Sequence, residues 1–199
     1  MKLTYSKGKG TKIHINIDGE YRFTTDVDFW FSLGINSGDV LNDEEIAELE
    51  EKINVRKAYN KGIELLSGRA HSKKELIQKI KRAVDEKYAI IAVDKLEKKG
   101  YVNDEEFARA YYSYLLNAKH FGAKRINYEM YQKGISRDIV DLVSYEFESD
   151  PAEQIRQIID KKYASRLNDE KGKKRAFNAL VRMGYNYSDI RKILDEYGE

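Results

Sequence analysis

From Lys12 to Ile17 the apolar residues Ile13, Ile15 and Ile17 alternate with polar neighbours, the period of a strand with one buried face. Asp18-Gly19 follows, the kind of pair a type I′ turn needs because both central residues take positive φ. A returning strand over residues 20–25 is therefore expected, pairing through Tyr21 and Phe23. Val27, Phe29, Trp30, Phe31 and Leu33 then crowd apolar surface into a short helix that ends at Gly34. Asn42 with Glu45 three residues on is a capping-box start, predicting a helix over residues 43–51 whose Ile46, Leu49 and Ile53 face inward. These elements make a small N-terminal cap of β-hairpin and helix, α+β in class.

Beyond Val55 the period is helical throughout. Ser72-x-x-Glu75 and Asn103-x-x-Glu106 read as helix starts, and Asp150-Pro151-x-Glu153 puts proline at a first helical position. Gly68, Gly100, Gly122, Gly134 and Gly184 sit where helices are expected to end, because glycine takes the left-handed residue after a last turn at least cost. About nine helices result, and they fall into copies of one unit. With Val84, Ile135 and Tyr185 as equivalent points, the offsets are 51 and 50 residues. Ala89, Ala92, Val93 and Leu96 follow the first point with the spacing that Ile190, Ile193, Leu194 and Tyr197 keep from the third. The second copy reads as one residue tighter, through Ile139, Leu142, Val143 and Phe147, and the first has Ala83 where the others have glycine. The expected fold is mainly α: an N-terminal module over 1–54, then three-helix repeats over 55–103, 104–149 and 150–199.

Charge sharpens this division. Residues 1–54 hold 6 Lys+Arg against 11 Asp+Glu (net −5), and residues 55–103 hold 13 against 6 (net +7). Residues 104–150 give 6 against 9 and residues 151–199 give 11 against 8, for +2 overall. A basic block suits nucleic acid or an acidic partner, although solvated helical faces also gather lysine. The chain has 199 residues, 41% of them hydrophobic, enough for a core without covalent staples. It has no cysteine, which excludes a disulfide framework, a thiol nucleophile and thiolate metal sites. No apolar run reaches the roughly 18 residues of a membrane span, and the start lacks an apolar signal core. A cytoplasmic, monomeric protein with no membrane contact is expected.

The polar positions carry the functional expectation. Eleven and ten residues ahead of the three equivalent points stand Lys73-Lys74, Lys124-Arg125 and Lys174-Arg175, each near the expected start of a second helix. Cations there oppose the helix dipole by a few tenths of a kcal/mol up to about 1, so local stability would select acids instead. Beside unpaired backbone N–H groups these cations would make anion sites. Lys79, Lys81, Arg82, Lys171 and Lys173 would widen them. Six phosphate contacts to a single strand would give a log–log salt slope of about −4, roughly a 300-fold loss of affinity between about 50 and 200 mM.

Other polar features read as structure. Tyr111, Tyr112, Tyr114, Tyr128 and Tyr131 cluster in the second copy, with core packing as their expected role. Asp104-Glu105-Glu106 suits the first turn of a helix. His14, His71 and His120 lack ligand spacing, and Gly8-Lys9-Gly10-Thr11 lacks the full phosphate-loop pattern. No catalytic residue, metal site or cofactor is expected, so the chain reads as a non-enzyme.

Three stretches carry a resemblance: Leu65-Leu66-Ser67-Gly68-Arg69-Ala70-His71-Ser72-Lys73-Lys74-Glu75-Leu76, then Leu96-Glu97-Lys98-Lys99-Gly100-Tyr101-Val102-Asn103-Asp104-Glu105-Glu106-Phe107-Ala108, then Gly122-Ala123-Lys124-Arg125-Ile126. With Glu129 to Ile135 they make residues 56–199 similar to the RecX family, the first two copies closely and the third in outline. The resemblance implies tandem three-helix repeats in an elongated, curved array that lies in the groove of the RecA filament on single-stranded DNA. It also implies inhibition of strand exchange and ATP hydrolysis, hence a role in homologous recombination, DNA repair and the SOS response, with direct DNA binding in some relatives. The resemblance supplies the partner; the spacing of the basic pairs adds the candidate RecA- and DNA-contacting residues Lys73, Lys74, Lys124, Arg125, Lys174 and Arg175, with Lys79 and Arg82 beside them. Two other classes fit the same helices: a helix-turn-helix regulator reading one operator sequence, and a helical scaffold that binds proteins only.

Overall fold

The computed structural model describes residues 1–147 and 149–197. Two compact units divide the chain, residues 1–102 and 103–199. The last two residues of the expected third repeat lie outside the described residues.

The first unit opens with an antiparallel sheet of three strands in the order β1 (Leu3–Lys7), β2 (Lys12–Ile17), β3 (Glu20–Asp26). The two expected strands are β2 and β3. Asp18 at φ 49° and Gly19 at φ 86° make the turn between them, both left-handed as their sequence requires. A bulge between Ile15 and Asn16 sets Phe23 opposite Ile15 and Tyr21 opposite Asn16, which leaves Tyr21 62% exposed. β1 is an addition to the expected hairpin. Gly8-Lys9-Gly10-Thr11 turns it into β2, with Gly10 at φ 63°, so that glycine-rich string is a hairpin turn. Leu3, Ile13 and Ile15 bury one sheet face against Trp30 of α1 (Val27–Ser32) and against Leu49 and Ile53 of the helix that follows.

Helix α2 runs from Asp43 to Gly68, 26 residues, through the expected end at 51 and the expected boundary at 54/55. The Asn42–Glu45 capping box forms as predicted. The helix continues because no proline or cap interrupts residues 52–66, and because its buried face changes partner midway. Ile46, Leu49 and Ile53 serve the sheet side; Val55, Ala58 and Gly62 serve the repeat side. A Cβ on Gly62 would stand 2.5 Å from Leu96 Cδ1, so α2 approaches the helix that carries Leu96 closely there. With α3 (Lys73–Ile80) and α4 (Glu86–Lys98), the C-terminal half of α2 encloses a core of Leu76, Ile80, Ala92, Val93 and Leu96.

The second unit holds two more triplets. α5 (Asp104–Ser113), extended by a π-helical turn (Tyr114–Ala118), packs with α6 (Ala123–Gln132) and α7 (Arg137–Glu146) around Phe107, Ile126, Met130, Val140 and Val143. α8 (Pro151–Lys162), a 3-10 turn (Ala164–Arg166), α9 (Glu170–Arg182) and α10 (Tyr187–Glu196) enclose Ile155, Ile159, Leu180, Ile190 and Ile193. The triplets meet where the Gly122 N–H donates to Met183 O at 2.8 Å and the Tyr185 hydroxyl donates toward His120 O and Gln154 Oε1, both at 3.0 Å.

The repeat is tighter than its sequence reading. α4, α7 and α10 each begin two residues after Val84, Ile135 and Tyr185, with Asp85, Ser136 and Asn186 as N-caps. In the second copy Val140 and Val143 are buried, whereas Leu142 is 47% exposed. These are the fifth and eighth positions, matching Ala89 and Ala92, so the second copy keeps the common register instead of running one residue short. Two adjacent apolar pairs, Ile139-Val140 and Leu142-Val143, made the sequence ambiguous by one residue. Second helices keep a strict 50-residue spacing through the buried pairs Leu76/Ile80, Ile126/Met130 and Ala176/Leu180. The first copy therefore lacks the residue that Gly134 and Gly184 supply at φ 79° and 92°, and Ala83 is no substitute for it. Gly100 also takes positive φ, 77°. Gly68 and Gly122 do not: Gly68 is the last residue of α2, and Gly122 is an extended N-cap at φ −75°.

Candidate partner- and nucleic-acid-binding surface

The common 50-residue register regroups the basic pairs. Lys74, Lys124 and Lys174 occupy one equivalent position, and Lys73 aligns with Ala123 and Lys173. Arg125 and Arg175 share the position that Glu75 takes in the first repeat. All three equivalent lysines are exposed and in no ion pair among the described residues. Lys73 is held instead, its Nζ 2.9 Å from Asp94 and 2.7 Å from Glu97 of α4, and those carboxylates hold its ammonium above the usual lysine pKa. Lys79 is half-buried and Arg82 exposed, while Lys81 pairs with Glu86 at 3.3 Å.

Free helix N-termini beside these cations do not form as expected. Ser72 caps α3 by accepting from the Glu75 N–H at 3.2 Å. The start of α6 lies under Gly184, whose Cβ, were there one, would be 2.4 Å from the Arg125 nitrogen. α9 begins at Glu170, where Asp169 accepts from the Gly172 N–H, so Lys174-Arg175 stand a turn inside the helix. Asp169, five residues ahead of Lys174, sets the start of the helix, so the spacing of the basic pair does not mark it. What remains for recognition is side-chain charge.

The motif around His71 is a brace for the first repeat. Arg69 clasps Glu75 with two nitrogens at 2.7 and 3.2 Å, and Glu75 Oε2 lies 3.2 Å from His71 Nδ1. Among the described residues that nitrogen has no hydrogen-bond partner, and the ring is almost fully buried. Burial pushes the His71 pKa down; Glu75 opposes this in part and Arg69 and Lys79 add to it.

In the second unit, cations and rings alternate. Lys124 Nζ lies 5.9 Å from the Tyr187 ring centroid, and Tyr187, 56% exposed, stacks on Phe177 at 5.7 Å and 9°. Phe177 lies in an open depression on α9 and α10 with Lys171, Lys173, Lys174 and Arg191, whose charge Glu170 and Asp195 offset in part. Arg125 pairs with Glu129 at 2.6 Å and has its guanidinium over Phe121 and Tyr128. Alternating cations and faces is an arrangement that can grip phosphates and stack bases, or receive an acidic protein groove. Phe177, Tyr187 and Arg191 were not singled out from sequence; the signal was the exposed aromatic at the start of a helix otherwise patterned for burial.

The tyrosine cluster divides. Tyr112 is buried and stacks on Phe147 at 5.1 Å, and Tyr111 packs beside the same core. Tyr114, Tyr128 and Tyr131 are 46%, 52% and 43% exposed, against the expectation of core packing, because they fall on the outer faces of their helical segments. Asn103 caps the helix that Asp104-Glu105-Glu106 begins, accepting from two N–H groups. Among the described residues no cluster of His, Asp and Glu could hold a metal ion, and no helix is long and apolar enough to cross a membrane.

Known proteins share this architecture. The family model described as RecX, second three-helix domain, matches residues 103–143. The regulatory protein RecX of Caldanaerobacter subterraneus subsp. tengcongensis is 32% identical over 191 residues, 94% of either chain. That of Bacillus subtilis is 28% identical over 199 residues, 98% of this chain and 75% of the relative. A crystal structure of a regulatory protein RecX superposes with TM-score 0.72 at 22% identity, covering 98% of this chain and 97% of that one. RecX from Lactobacillus salivarius superposes with TM-score 0.62 at 22% identity over 73% of this chain. With its mainly helical repeats behind a small antiparallel sheet and a relative 32% identical along nearly its whole length, the chain belongs to the RecX family of regulatory proteins.

Proposed function

We propose that this protein binds the RecA filament on single-stranded DNA and restrains strand exchange and ATP hydrolysis, with no chemistry of its own. Family membership supports the partner. The observation that carries the contact assignment is the recurrence of Lys74, Lys124 and Lys174 at one position of three successive repeats, each exposed and without a carboxylate. Lys74 and Lys124 oppose the dipole from the first turns of their helices, Lys174 stands a turn inside α9, and none of the three is in an ion pair among the described residues, so an external anion is their natural counterpart. Arg175 and the Lys124–Tyr187–Phe177 face extend the contact; Lys73 serves the fold. The division into a module over 1–54 and repeats over 55–103, 104–149 and 150–199 belongs to the same proposal, as do a monomeric state and a cytoplasmic location.

The test is single-stranded-DNA-stimulated ATP hydrolysis by the cognate RecA, with wild type and with the triple variant Lys74→Ala/Lys124→Ala/Lys174→Ala, folding being checked by circular dichroism. Inhibition by wild type at or below stoichiometric ratios, weakened in the folded variant, supports both partner and contact. Equal inhibition by the two removes the lysines from the contact. No inhibition by wild type overturns the filament reading. Three phosphate contacts would make binding fall about 20-fold between about 50 and 200 mM salt, a smaller loss than six would give.

A further inference from the structure

Within the first unit a groove of about 430 Å³ runs between α1, the middle of α2 and the end of α4. Phe29, Leu33, Val55 and Tyr59 line its apolar part. Lys52, paired with Glu48 at 3.6 Å, and Arg56, paired with Asp26 at 3.2 Å, stand on one side, Lys95, Lys98 and Lys99 on the other, and among the described residues no carboxylate lines the groove itself. Charge along α4 is sorted by face. Asp94 and Glu97 turn to Lys73, whereas Lys95, Lys98 and Lys99 meet the groove and are in no ion pair among the described residues. The cations keep company with rings: the Arg56 guanidinium is 5.4 Å from the Phe29 centroid and Lys99 Nζ 5.2 Å from that of Tyr59.

The other repeats show what this place looks like when it serves only the fold. Eleven residues after Ile135 and Tyr185 stand Glu146 and Glu196, and each accepts a two-pronged bridge from the first helix of its repeat, from Arg109 at 2.8 and 2.9 Å and from Arg156 at 3.0 and 3.1 Å. Eleven residues after Val84 stands Lys95. The first repeat thus replaces a bridging carboxylate with a cation, and α1 of the N-terminal module brings Phe29 and Leu33 to the same place. The C-terminal end of α4 favours cations in its last turn, which accounts for lysines on α4 but not for Lys52 and Arg56 converging on them across an apolar floor.

We infer that this groove binds a segment of single-stranded nucleic acid, its phosphates on Lys95, Lys98 and Lys99 and a base against the Phe29 and Tyr59 rings. The volume suits a nucleotide-sized group. A cationic groove interleaved with aromatic faces and offering few directional polar groups binds single strands without sequence preference. The site shares no residue with Lys74, Lys124 and Lys174 and makes no use of the RecA filament, so it stands or falls independently of them.

The test is fluorescence anisotropy of a short labelled oligothymidylate with the full chain and no RecA. Lys95→Glu restores the residue type the other repeats carry, and Lys95→Gln/Lys98→Gln/Lys99→Gln removes the charge. Both are expected to weaken binding about tenfold or more at low salt, and the triple variant to make the log–log salt slope shallower by about 2. Lys95→Arg/Lys98→Arg/Lys99→Arg should retain binding, and an abasic oligomer should bind about tenfold more weakly than oligothymidylate. Unchanged affinity and salt slope in the glutamine variant, or equal binding of the abasic oligomer, overturns the inference. So does a peptide of alternating glutamate and leucine that displaces nothing from wild type yet binds it more tightly than the oligonucleotide does, and loses that binding in the glutamine variant.

Discussion

Gly184 lies directly against Arg125: a Cβ on Gly184 would be 2.4 Å from the Arg125 backbone nitrogen and 2.5 Å from its Cβ. Gly184 also stands at φ 92°, where side chains are strained whatever the space. The contact is the seam between the second and third repeats, where Gly122 donates to Met183 O across it. Gly184→Ala is therefore expected to cost about 2–4 kcal/mol, combining left-handed strain with displacement of the start of α6. Gly100→Ala is the control, since Gly100 has φ 77° but nothing within 4 Å of a Cβ, and about 1 kcal/mol is expected. Urea denaturation of the two variants checks this; equal losses would show that the seam does not depend on the close approach.

Lys73 and Lys74 are adjacent and should behave oppositely. Lys73→Ala leaves Asp94 and Glu97 facing each other without their ammonium, and because the pair is more than a third exposed the loss should be only about 0.5 kcal/mol. Inhibition of RecA should survive it. Lys74→Ala should be neutral to slightly stabilising, as a cation leaves the first turn of α3, yet weaken inhibition. Thermal melts paired with the ATPase assay separate the two; parallel effects on both readouts would remove the distinction.

That distinction was not legible in the chain, although much around it was. The Asp18-Gly19 turn, the Asn42 cap and the three-helix period follow from local rules that depend on nearest neighbours, and they appear as the residues dictate. What failed depended on contacts distant in sequence. α2 runs on past 51 because the sheet and the first repeat bury successive parts of it, and β1 forms because β2 offers an edge. The pairing of Lys73 with Lys74 followed from counting back across a loop that is one residue shorter in the first repeat than in the others. Only burial at Leu76, Ile126 and Ala176 fixes the count from inside the helix. The change from glutamate to lysine at Lys95 aligns by counting from Val84, Ile135 and Tyr185 alone, but the groove beside it depends on Phe29 and Leu33 arriving from the N-terminal module, a contact distant in sequence.

His71 should make the first unit acid-sensitive in a defined window. Its buried ring has a pKa below the usual 6.5, so the folded protein holds it neutral while the unfolded chain protonates first. The stability it permits is complete above about pH 6.5 and is lost as pH falls from there toward the depressed folded value. Asp26, Glu146 and Glu196 have pKa values lowered by their cationic partners, Asp26 with help from Asn60, and their contributions are lost only in more acid solution. Between pH 7.5 and 5.5, wild type should therefore lose more in its melting temperature than His71→Gln. Parallel slopes over that range would mean that the ring is not held neutral.

Tyr185 should give the second unit an alkaline counterpart. Burial pushes its phenol up to about 12, and one hydroxyl hydrogen is shared between His120 O and Gln154 Oε1. The unfolded chain loses this proton near pH 10 and the folded one later, so the stability it contributes is complete below about pH 10 and lost as pH rises toward 12. At neutral pH Tyr185→Phe leaves both acceptors in a half-buried seam without their donor, at a cost of about 1–2 kcal/mol. His120, itself left-handed at φ 54°, loses one of the contacts that hold it there. The variant should unfold at lower urea at pH 7.5, and its deficit should shrink as pH is raised from 9 to 11, because wild type alone loses the phenol's contribution over that range. A deficit that stays constant with pH would show that the hydroxyl contributes by packing and not by holding its proton at the seam between the repeats.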